Sequence, residues 1–329
     1  MSITLTLLLT IAVYALTLPL AWRLLARLVA HSAGHRAMWA NPTFWAEVAL
    51  YRLVIFAPYG VLLLMGRWLP SDATKIIVGW VILTSGLSLV RLAGTDRVVG
   101  LLWYLYGHCY DSLRGFFPYR RLVDLAVARV MASGTMTVLD IGCGTGNTIE
   151  RLLEEHPCLR VVGVDGSASM LGRARRKLQP QISKGHVQLV QADVMGFVRE
   201  QPAASYDRII LMNVLYAVRD RGELWRECLR LLKPSGAIVV TTSDRGGSRS
   251  IVAEHLRHDH WWRLVKPRLL ATGIIDCFIT EFARAGIFQF PSEAVLLNEV
   301  RGASGRPGIV TRCYGDVNVL FSVHHVPPP

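Results

Sequence analysis

The sequence predicts an α/β fold with a doubly wound, mostly parallel sheet, preceded by an α-helical transmembrane region. Short β-branched runs alternate with amphipathic helical segments between residues 137 and 242, which is the pattern of a parallel sheet covered by helices. The first of these runs is followed at once by a glycine-rich turn. Long uncharged stretches are concentrated in the first 90 residues and predict the membrane region.

The first strand ends in a turn that has a glycine at every second position. Asp140 lies near the carboxyl end of this strand. The turn that follows consists of Gly142, Cys143, Gly144, Thr145 and Gly146. Glycines let a ligand approach the main chain without interference from Cβ atoms. A dinucleotide-binding turn has the spacing G-x-G-x-x-G, which this turn does not follow. The turn therefore predicts a backbone cradle for a different cofactor.

The second predicted strand covers residues 159–164 and ends in Asp165, about 20 residues past the turn. A carboxylate at this place can accept hydrogen bonds from both hydroxyls of a ribose. Ser167 is expected to cap the next helix, which continues to Leu178. Taken alone, Asp165 could also be a helix cap.

Three further strands continue the alternation. A third strand, expected to be buried, covers residues 186–191 and leads into Asp193. A fourth covers residues 206–212 and leads into Asn213. A helix and a Lys-Pro-Ser-Gly turn then precede the fifth strand, residues 237–242. Taken singly, Asp193 could be a turn former and Asn213 a loop residue.

These segments, in this order, resemble the class I methyltransferases that use S-adenosylmethionine (SAM). The resemblance covers roughly residues 133–244. It implies a seven-stranded Rossmann-like sheet, SAM as cofactor, S-adenosylhomocysteine as product, and an enzyme that transfers methyl groups. In such proteins the residue matching Asp165 binds the ribose, the one matching Asp193 lies at the adenine, and the segment after the fourth strand passes beneath the methionine moiety.

The resemblance also implies which positions bind the cofactor. They are Asp140, Gly142, Cys143, Gly144, Thr145, Gly146, Asp165, Gly166, Met170, Ala192, Asp193, Val194, Asn213 and Val214. Because the sulfonium of SAM already makes its methyl group electrophilic, such an enzyme mainly aligns the acceptor and excludes water. Little acid–base machinery is therefore expected.

Three apolar runs, residues 3–21, 53–69 and 76–90, predict membrane spans. The alternative for the first run is a cleaved signal peptide, but no basic region precedes it and no clear small-x-small site ends it. The alternative for the second and third runs is a pair of buried core or interfacial helices, because Pro58 breaks the second run, Arg52 lies at its start, and the third run is short.

The distribution of charged residues favours one orientation in the membrane and one kind of binding partner. Lys and Arg bias around the spans predicts an outside N-terminus and a cytosolic methyltransferase domain in a bacterial inner membrane, whereas two spans would turn the N-terminus inward. The net charge of +12 then predicts attraction to the anionic cytoplasmic leaflet of the lipid bilayer. No nucleic-acid partner is predicted, because no motif accompanies the charge. The densest basic run, residues 173–177, is interpreted as a solvated helix face.

The predicted domains are a transmembrane region (1–96), an aromatic linker with pre-domain helices (97–132) and the methyltransferase domain (133–329). In the linker, Tyr110 and the acidic residue after it resemble a Tyr-Asp pair that closes over SAM in methyltransferases acting on quinones and phospholipids. The alternative is an aromatic belt at the membrane interface. The belt is the favoured interpretation for Trp103, Tyr104 and Tyr106.

A helical insertion over residues 249–290 is expected to cover the acceptor. His255 and His258 lie in it and, with Tyr110, are the candidate catalytic residues, because a histidine or tyrosine near the acceptor could remove a proton. The histidine spacing H-x-x-H-x-H raises the possibility of a metal. No metal is predicted, since no acidic or cysteine partner has ligand spacing. A Trp pair followed by basic residues is expected to press this segment against lipid headgroups.

The sequence thus predicts a membrane-anchored methyltransferase that acts on a hydrophobic or lipid-embedded acceptor, such as a phospholipid amine, a quinone or a lipophilic metabolite. One alternative is a SAM-binding membrane sensor or scaffold that transfers no methyl group. A nicotinamide-dependent oxidoreductase is a weaker alternative, because the glycine spacing is wrong and no Y-x-x-x-K pair occurs.

Overall fold

The computed structural model describes residues 95–243, 248–284, 287–304, 309–313 and 318–324. The three predicted spans lie outside these residues. Within the described ranges no helix combines the length and apolar character that a membrane crossing requires. The chain divides into two compact units, and the larger, Leu102–Asp276 with Phe288–Pro329, contains the sheet.

The helices and strands follow one another as an α/β protein. The helices are α1 Thr95–Cys109, α2 Phe117–Val130, α3 Asn147–Glu155, α4 Ala168–Lys177, α5 Gln179–Ser183, α6 Val194–Glu200, α7 Arg221–Leu231, α8 Ser248–His258, α9 Pro267–Arg284 and α10 Glu293–Ser304. The strands are β1 Thr137–Ile141, β2 Arg160–Asp165, β3 Val187–Gln191, β4 Tyr206–Met212, β5 Leu232–Ser243, β6 Ile309–Cys313 and β7 Asn318–His324. Short 3₁₀ turns cover Tyr110–Gly115, Leu215–Ala217 and Trp261–Arg263.

The seven strands form one sheet in the order β3-β2-β1-β4-β5-β7-β6. The first five strands of this order are parallel, and β7 pairs antiparallel with both β5 and β6. This confirms the predicted mostly parallel sheet. Because the carboxyl ends of β1, β2 and β4 meet at one edge, the loops that follow these strands are brought together there.

Alternating side chains cover the two faces of the sheet. Val138 and Ile210 pack with helices α2 and α3 on one face, whereas Leu139, Ile141 and Ile209 pack with α7 and α10 on the other. Helices on both faces bury most residues of the central strands, which explains their apolar, β-branched sequences. The sheet is therefore a rigid base for the loops at its carboxyl edge.

Two elements of the structure differ from what the sequence predicts. The third strand was expected to be buried, but only Val187 of it is, because β3 lies at the edge of the sheet with one neighbour. The Lys-Pro-Ser-Gly turn lies within β5 as an irregularity: Tyr206 pairs with Leu232, whereas Arg208 pairs with Ala237. The main-chain pairing of β4 and β5 thus begins before this turn and resumes after it.

The aromatic belt expected in the linker is wrong for Tyr106, which is only 5% exposed. Trp103 is half-buried, and its ring centroid lies 6.0 Å from that of Tyr106. Tyr104 is 53% exposed. Helix α1 turns one side toward the protein, so these aromatic residues, at most three positions apart, have different surroundings.

Candidate active site

The glycine turn after β1 has a conformation that only glycine adopts without strain. Gly142, Gly144 and Gly146 have φ angles of 69°, 55° and 76°. A Cβ atom on Gly142 would lie 2.5 Å from Cγ2 of Val214. A Cβ on Gly146, the N-cap of helix α3, would lie 2.8 Å from a side-chain carbon of Leu178. The turn is thus held tightly between neighbouring loops, with its backbone accessible to a ligand at Gly144.

Asp140 lies under this turn and is only 1% exposed. Neither carboxyl oxygen has a hydrogen-bond partner among the described residues. Burial, reinforced by the negative charge of Asp165, raises the pKa of Asp140 to about 8. A buried carboxyl group without donors is costly for the protein, so this position suits a partner such as a bound ligand, an ion or a water molecule.

Asp165, at the end of β2, connects two loops of the site. Its Oδ2 accepts a hydrogen bond from the Gly144 backbone N–H at 2.9 Å, and its Oδ1 accepts one from the Ser167 N–H at 2.8 Å. Burial raises the pKa of Asp165, and these two hydrogen bonds oppose the shift. Since each carboxylate oxygen can accept a second hydrogen bond, the side chain keeps capacity for a pair of hydroxyls.

The residues after β2 and β3 form the next part of the same edge. Gly166 is exposed, and Ser167 caps α4 through the N–H of Met170, as predicted. The Ala192 N–H donates to the backbone oxygen of Asp165 at 3.3 Å.

Asp193 is exposed and caps α6, accepting the Gly196 N–H at 2.9 Å through Oδ2. Val194 is the first residue of that helix. The cofactor role implied for Gly166, Ala192, Asp193 and Val194 remains a prediction.

The loop after β4 lies beside the glycine turn. Asn213 has φ 52°, and its N–H donates to the Thr241 carbonyl at 2.9 Å. Its side-chain oxygen accepts a hydrogen bond from Asn318 at 2.9 Å. Val214 follows and contacts the glycine turn from this side. The structure therefore brings together the segments after β1, β2 and β4, as the sequence order predicted.

Cys143 and Thr145 face inward from the turn. Cys143 is buried, and burial raises the pKa of its thiol well above the ordinary value. Thr145 is fully buried, and its hydroxyl donates to Asp111 Oδ1 at 2.6 Å. The thiol is thus kept neutral, and the threonine attaches the glycine turn to the 3₁₀ turn that contains Asp111.

Sequence reasoning missed two residues of this attachment, Lys177 and Asn147. The Lys177 ammonium donates to Asp111 Oδ1 at 2.8 Å and to the Asn147 side-chain oxygen. Its side chain is only 11% exposed, so the interpretation of the run 173–177 as a solvated face is wrong for this residue. Burial lowers the pKa of Lys177, and the Asp111 carboxylate opposes that shift. No signal in the sequence separates Lys177 from its basic neighbours.

An aromatic cluster lies next to this network. Its members are Trp103, Tyr106, Tyr110, Tyr119, Tyr216, Phe288 and Phe290. Tyr110 contacts Tyr106 and Tyr119 edge to face, with ring centroids 4.9 and 5.9 Å apart. The Tyr119 hydroxyl accepts a hydrogen bond from Asn147 at 3.2 Å, so the cluster is joined to the glycine-turn network.

One carboxyl group, Asp276, is held in this cluster. The Tyr106 hydroxyl donates to its Oδ1 at 2.6 Å. Burial raises the pKa of Asp276 to about 6, and the hydrogen bond from Tyr106 opposes the shift. Burial, and then the charges of Asp276 and Asp165, raise the pKa of the Tyr216 phenol. Tyr216 therefore stays a neutral phenol within the cluster.

The two histidines named as candidate bases lie elsewhere on α8. His255 is fully buried: its Nδ1 accepts the Phe117 N–H at 3.1 Å, and its Nε2 lies 3.3 Å from the His260 carbonyl. To act as a base it would have to give up one of these contacts. His258 is exposed and stacks on Phe117 at 4.5 Å. Within the described part of the chain, neither histidine makes a hydrogen bond or ring contact with the cofactor edge, defined here as residues 140–146, 165–166, 192–194 and 213–214. Tyr110, in contrast, packs on Tyr119, which is hydrogen-bonded to the first residue after the glycine turn.

The residues of this edge fit SAM. The unpartnered carboxyl of Asp140 suits a cationic ligand with N–H donors, and the accessible Gly144 backbone suits close approach of such a ligand. Asp165 is placed to accept ribose hydroxyls. Two carboxyl groups that can accept hydrogen bonds, at the ends of β1 and β2 with the glycine turn between them, match a molecule that carries an ammonium, a sulfonium and a ribose.

Comparisons with known proteins agree with this fit. Residues 138–236 match the family described as a methyltransferase domain. Trans-aconitate 2-methyltransferase of Azoarcus sp. (strain BH72) is 41% identical over 114 residues, which are 35% of this chain and 42% of that protein. The enzyme of the same name from Acidovorax sp. (strain JS42) is 33% identical over 125 residues, 38% of this chain and 45% of that protein. The chain thus spans less than half the length of these curated relatives.

Among solved structures, the N-methyltransferase NodS of Bradyrhizobium japonicum WM9 in complex with S-adenosylhomocysteine has a TM-score of 0.43 and 16% identity, over 63% of this chain and 87% of that one. A likeness at this level says nothing about the acceptor. The family match over residues 138–236 and the curated relatives support a SAM-dependent methyltransferase domain in this part of the chain.

Proposed function

We propose that this chain is a membrane-anchored methyltransferase that transfers the methyl group of SAM to a hydrophobic or lipid-embedded acceptor. The acceptor class includes phospholipid amines, quinone rings and lipophilic metabolites. The observation that carries the proposal is the aromatic cluster beside the glycine turn: Tyr110 packs edge to face on Tyr119, whose hydroxyl accepts a hydrogen bond from Asn147. Flat or apolar acceptors pack well against such rings.

When bound, SAM supplies a methyl group that its sulfonium makes electrophilic. The chain then has to hold the acceptor in line with that methyl group and keep water out. Buried rings such as Tyr106 and Tyr119 suit water exclusion. For an acceptor that loses a proton, Tyr110 and the Asp276 carboxyl are the groups of the cluster that can accept or relay it.

The acceptor of the named relatives, trans-aconitate, is not carried over to this chain. The Asp276 carboxyl, which accepts a hydrogen bond within the aromatic cluster, would in its ionised form repel the carboxylates of such an acceptor. The membrane anchor rests on the apolar runs at residues 3–21, 53–69 and 76–90 and remains part of the proposal.

The test uses membranes that contain the full chain, incubated with methyl-labelled SAM. We expect label in a lipid-extractable species. Asp165→Ala should abolish it, because the ribose and the Gly144 N–H both lose their acceptor. Asp124→Ala, which removes an exposed carboxylate paired with Arg151, is the matched control and should label normally.

Two outcomes separate the alternatives. Label that stays in the aqueous phase on added trans-aconitate would contradict a hydrophobic acceptor while leaving methyl transfer intact. SAM binding by calorimetry, without label in any phase, would favour a sensor or scaffold instead.

A further inference from the structure

The segment between β5 and the middle of α9 exposes large apolar side chains. These are Val252, Leu256, Trp261, Trp262, Val265 and Leu270, here called the cover face. They are six of the eleven large hydrophobic residues that are exposed in the described part of the chain. Trp261 is 67% exposed and Trp262 46%. A concentration of exposed tryptophan and aliphatic residues on one segment marks an interaction surface rather than chance exposure.

The opposite side of this segment is fixed to the protein. Ile251, Leu264 and Leu269 pack against the hydrophobic core. The Glu254 carboxylate pairs with Arg121 at 2.9 Å, and the Asp259 carboxylate pairs with Arg120 at the same distance. Because apolar contacts and ion pairs hold the inner side, the cover face is held outward.

The same ion pairs determine which charges the cover face presents to solvent. Glu254 and Asp259 are the acidic residues of 248–270, and each carboxylate is only 7% exposed because it is paired inward. Exposed Arg257, Lys266 and Arg268 remain outside. The Lys266 ammonium lies 5.6 Å from the centre of the Trp262 ring. The cover face is therefore apolar, aromatic and cationic, with its acids neutralised on the inner side.

We propose that the cover face docks on the surface of an anionic lipid bilayer. Tryptophan rings favour the headgroup level of membranes, and an apolar face flanked by Lys and Arg is the pattern of interfacial helices. Each basic side chain near an acidic lipid surface adds to the attraction. RNA or an acidic protein would use the charge but would leave Val252, Val265 and Leu270 without a partner. The inference needs neither the predicted spans nor methyl transfer, so it can fail while the proposed function stands.

The experiment is peptide-resolved hydrogen exchange on the full chain in nanodiscs, because it reports on this segment even if another part of the chain holds the protein in the lipid. Phosphatidylcholine discs are compared with discs that also contain phosphatidylglycerol. We expect slower exchange over residues 252–270 in the anionic discs, and loss of that slowing at high salt. Trp261→Ala with Trp262→Ala should remove the slowing, and these exposed positions leave the fold intact.

A double variant, Lys266→Glu with Arg268→Glu, tests the contribution of charge. It should also remove the slowing of hydrogen exchange. The matched control is Arg160→Glu with Lys184→Glu, an equal change of charge at two exposed sites elsewhere, which should keep it. Equal exchange in the two kinds of disc, or equal effects of the two charge variants, would overturn the proposal. Slowing by added RNA but by neither disc would overturn it in favour of a nucleic-acid surface.

Discussion

Asp140 is the residue whose ionisation a bound cationic ligand would change most. It is buried, has no partner among the described residues, and has its pKa raised to about 8. Without a ligand it is therefore protonated at neutral pH. A ligand with positive charge favours the ionised form, so binding lowers this pKa and releases a proton.

The release of this proton on ligand binding gives the first prediction. SAM affinity should rise with pH up to about 8, since less work is then needed to ionise Asp140. Calorimetric titration in buffers of different ionisation enthalpy measures the proton release directly. Asp140→Asn should weaken binding and flatten its pH dependence. A wild-type affinity that does not change between pH 6 and 8 would contradict this assignment.

The same group sets a pH dependence of stability without ligand. The folded protein keeps a proton that the unfolded chain releases above its ordinary carboxyl pKa. The contribution of Asp140 to the free energy of unfolding therefore falls as the pH rises from about 4 to about 8. Asp140→Asn should remove that fall, which urea titrations across this range can measure.

Gly142 gives a second prediction at the residue scale. An alanine there would have φ 69° and a Cβ 2.5 Å from Val214 Cγ2. We expect Gly142→Ala to lower the free energy of unfolding by about 2–4 kcal/mol and to abolish SAM binding. Gly273→Ala is the matched control, because that position is in α9 with open space around it. It should stabilise by about 0.5–1 kcal/mol.

At the scale of elements, the 3₁₀ turn Tyr110–Gly115 attaches the linker to the glycine turn. Asp111 accepts hydrogen bonds from Thr145 and Lys177, which come from two different loops of the sheet edge. The Tyr-Asp resemblance in the sequence indicated this position. It did not indicate which basic residue pairs with Asp111, because Lys177 is one of four basic residues in the five-residue segment 173–177.

Asp111→Ala tests this attachment. Lys177 would remain poorly solvated with its main counter-ion removed, so we expect about 1–2 kcal/mol of lost stability. SAM affinity should fall about tenfold, since Thr145 loses its acceptor. Denaturant unfolding and calorimetry measure the two effects. Asp124→Ala removes a more exposed ion pair and should change neither by much. Equal effects of the two variants would contradict the attachment.

Element boundaries show where sequence reasoning succeeds. Strand β4 lies at the predicted residues, and Leu224, Cys228 and Leu231 of α7 are fully buried, as their helical spacing indicates. The edge position of β3 could not be predicted, because an apolar run has the same composition whether one or two strands flank it. The cofactor and catalytic roles of the predicted site residues remain to be tested.

For the whole molecule, the strand order predicts the order of local stability. Strands β1 and β4 lie between parallel neighbours under helices on both faces, whereas β3 and β6 are the two edges. Amide exchange in the reconstituted protein should therefore be slowest in β1 and β4 and faster in β3 and β6. Protection of β3 equal to that of β1 would be inconsistent with this order.

The sequence by itself determined the alternation of strands and helices, the glycine turn and the kind of cofactor. These are local properties: a turn with positive φ angles needs glycine, and a strand buried on both faces needs an apolar run. Only the tertiary structure decided the placement of β7 between β5 and β6, the burial of Lys177 on Asp111, and the assembly of one aromatic cluster from Tyr106, Tyr216 and Phe288. Such contacts join segments far apart in the chain, and their partners are chosen by packing rather than by neighbouring residues.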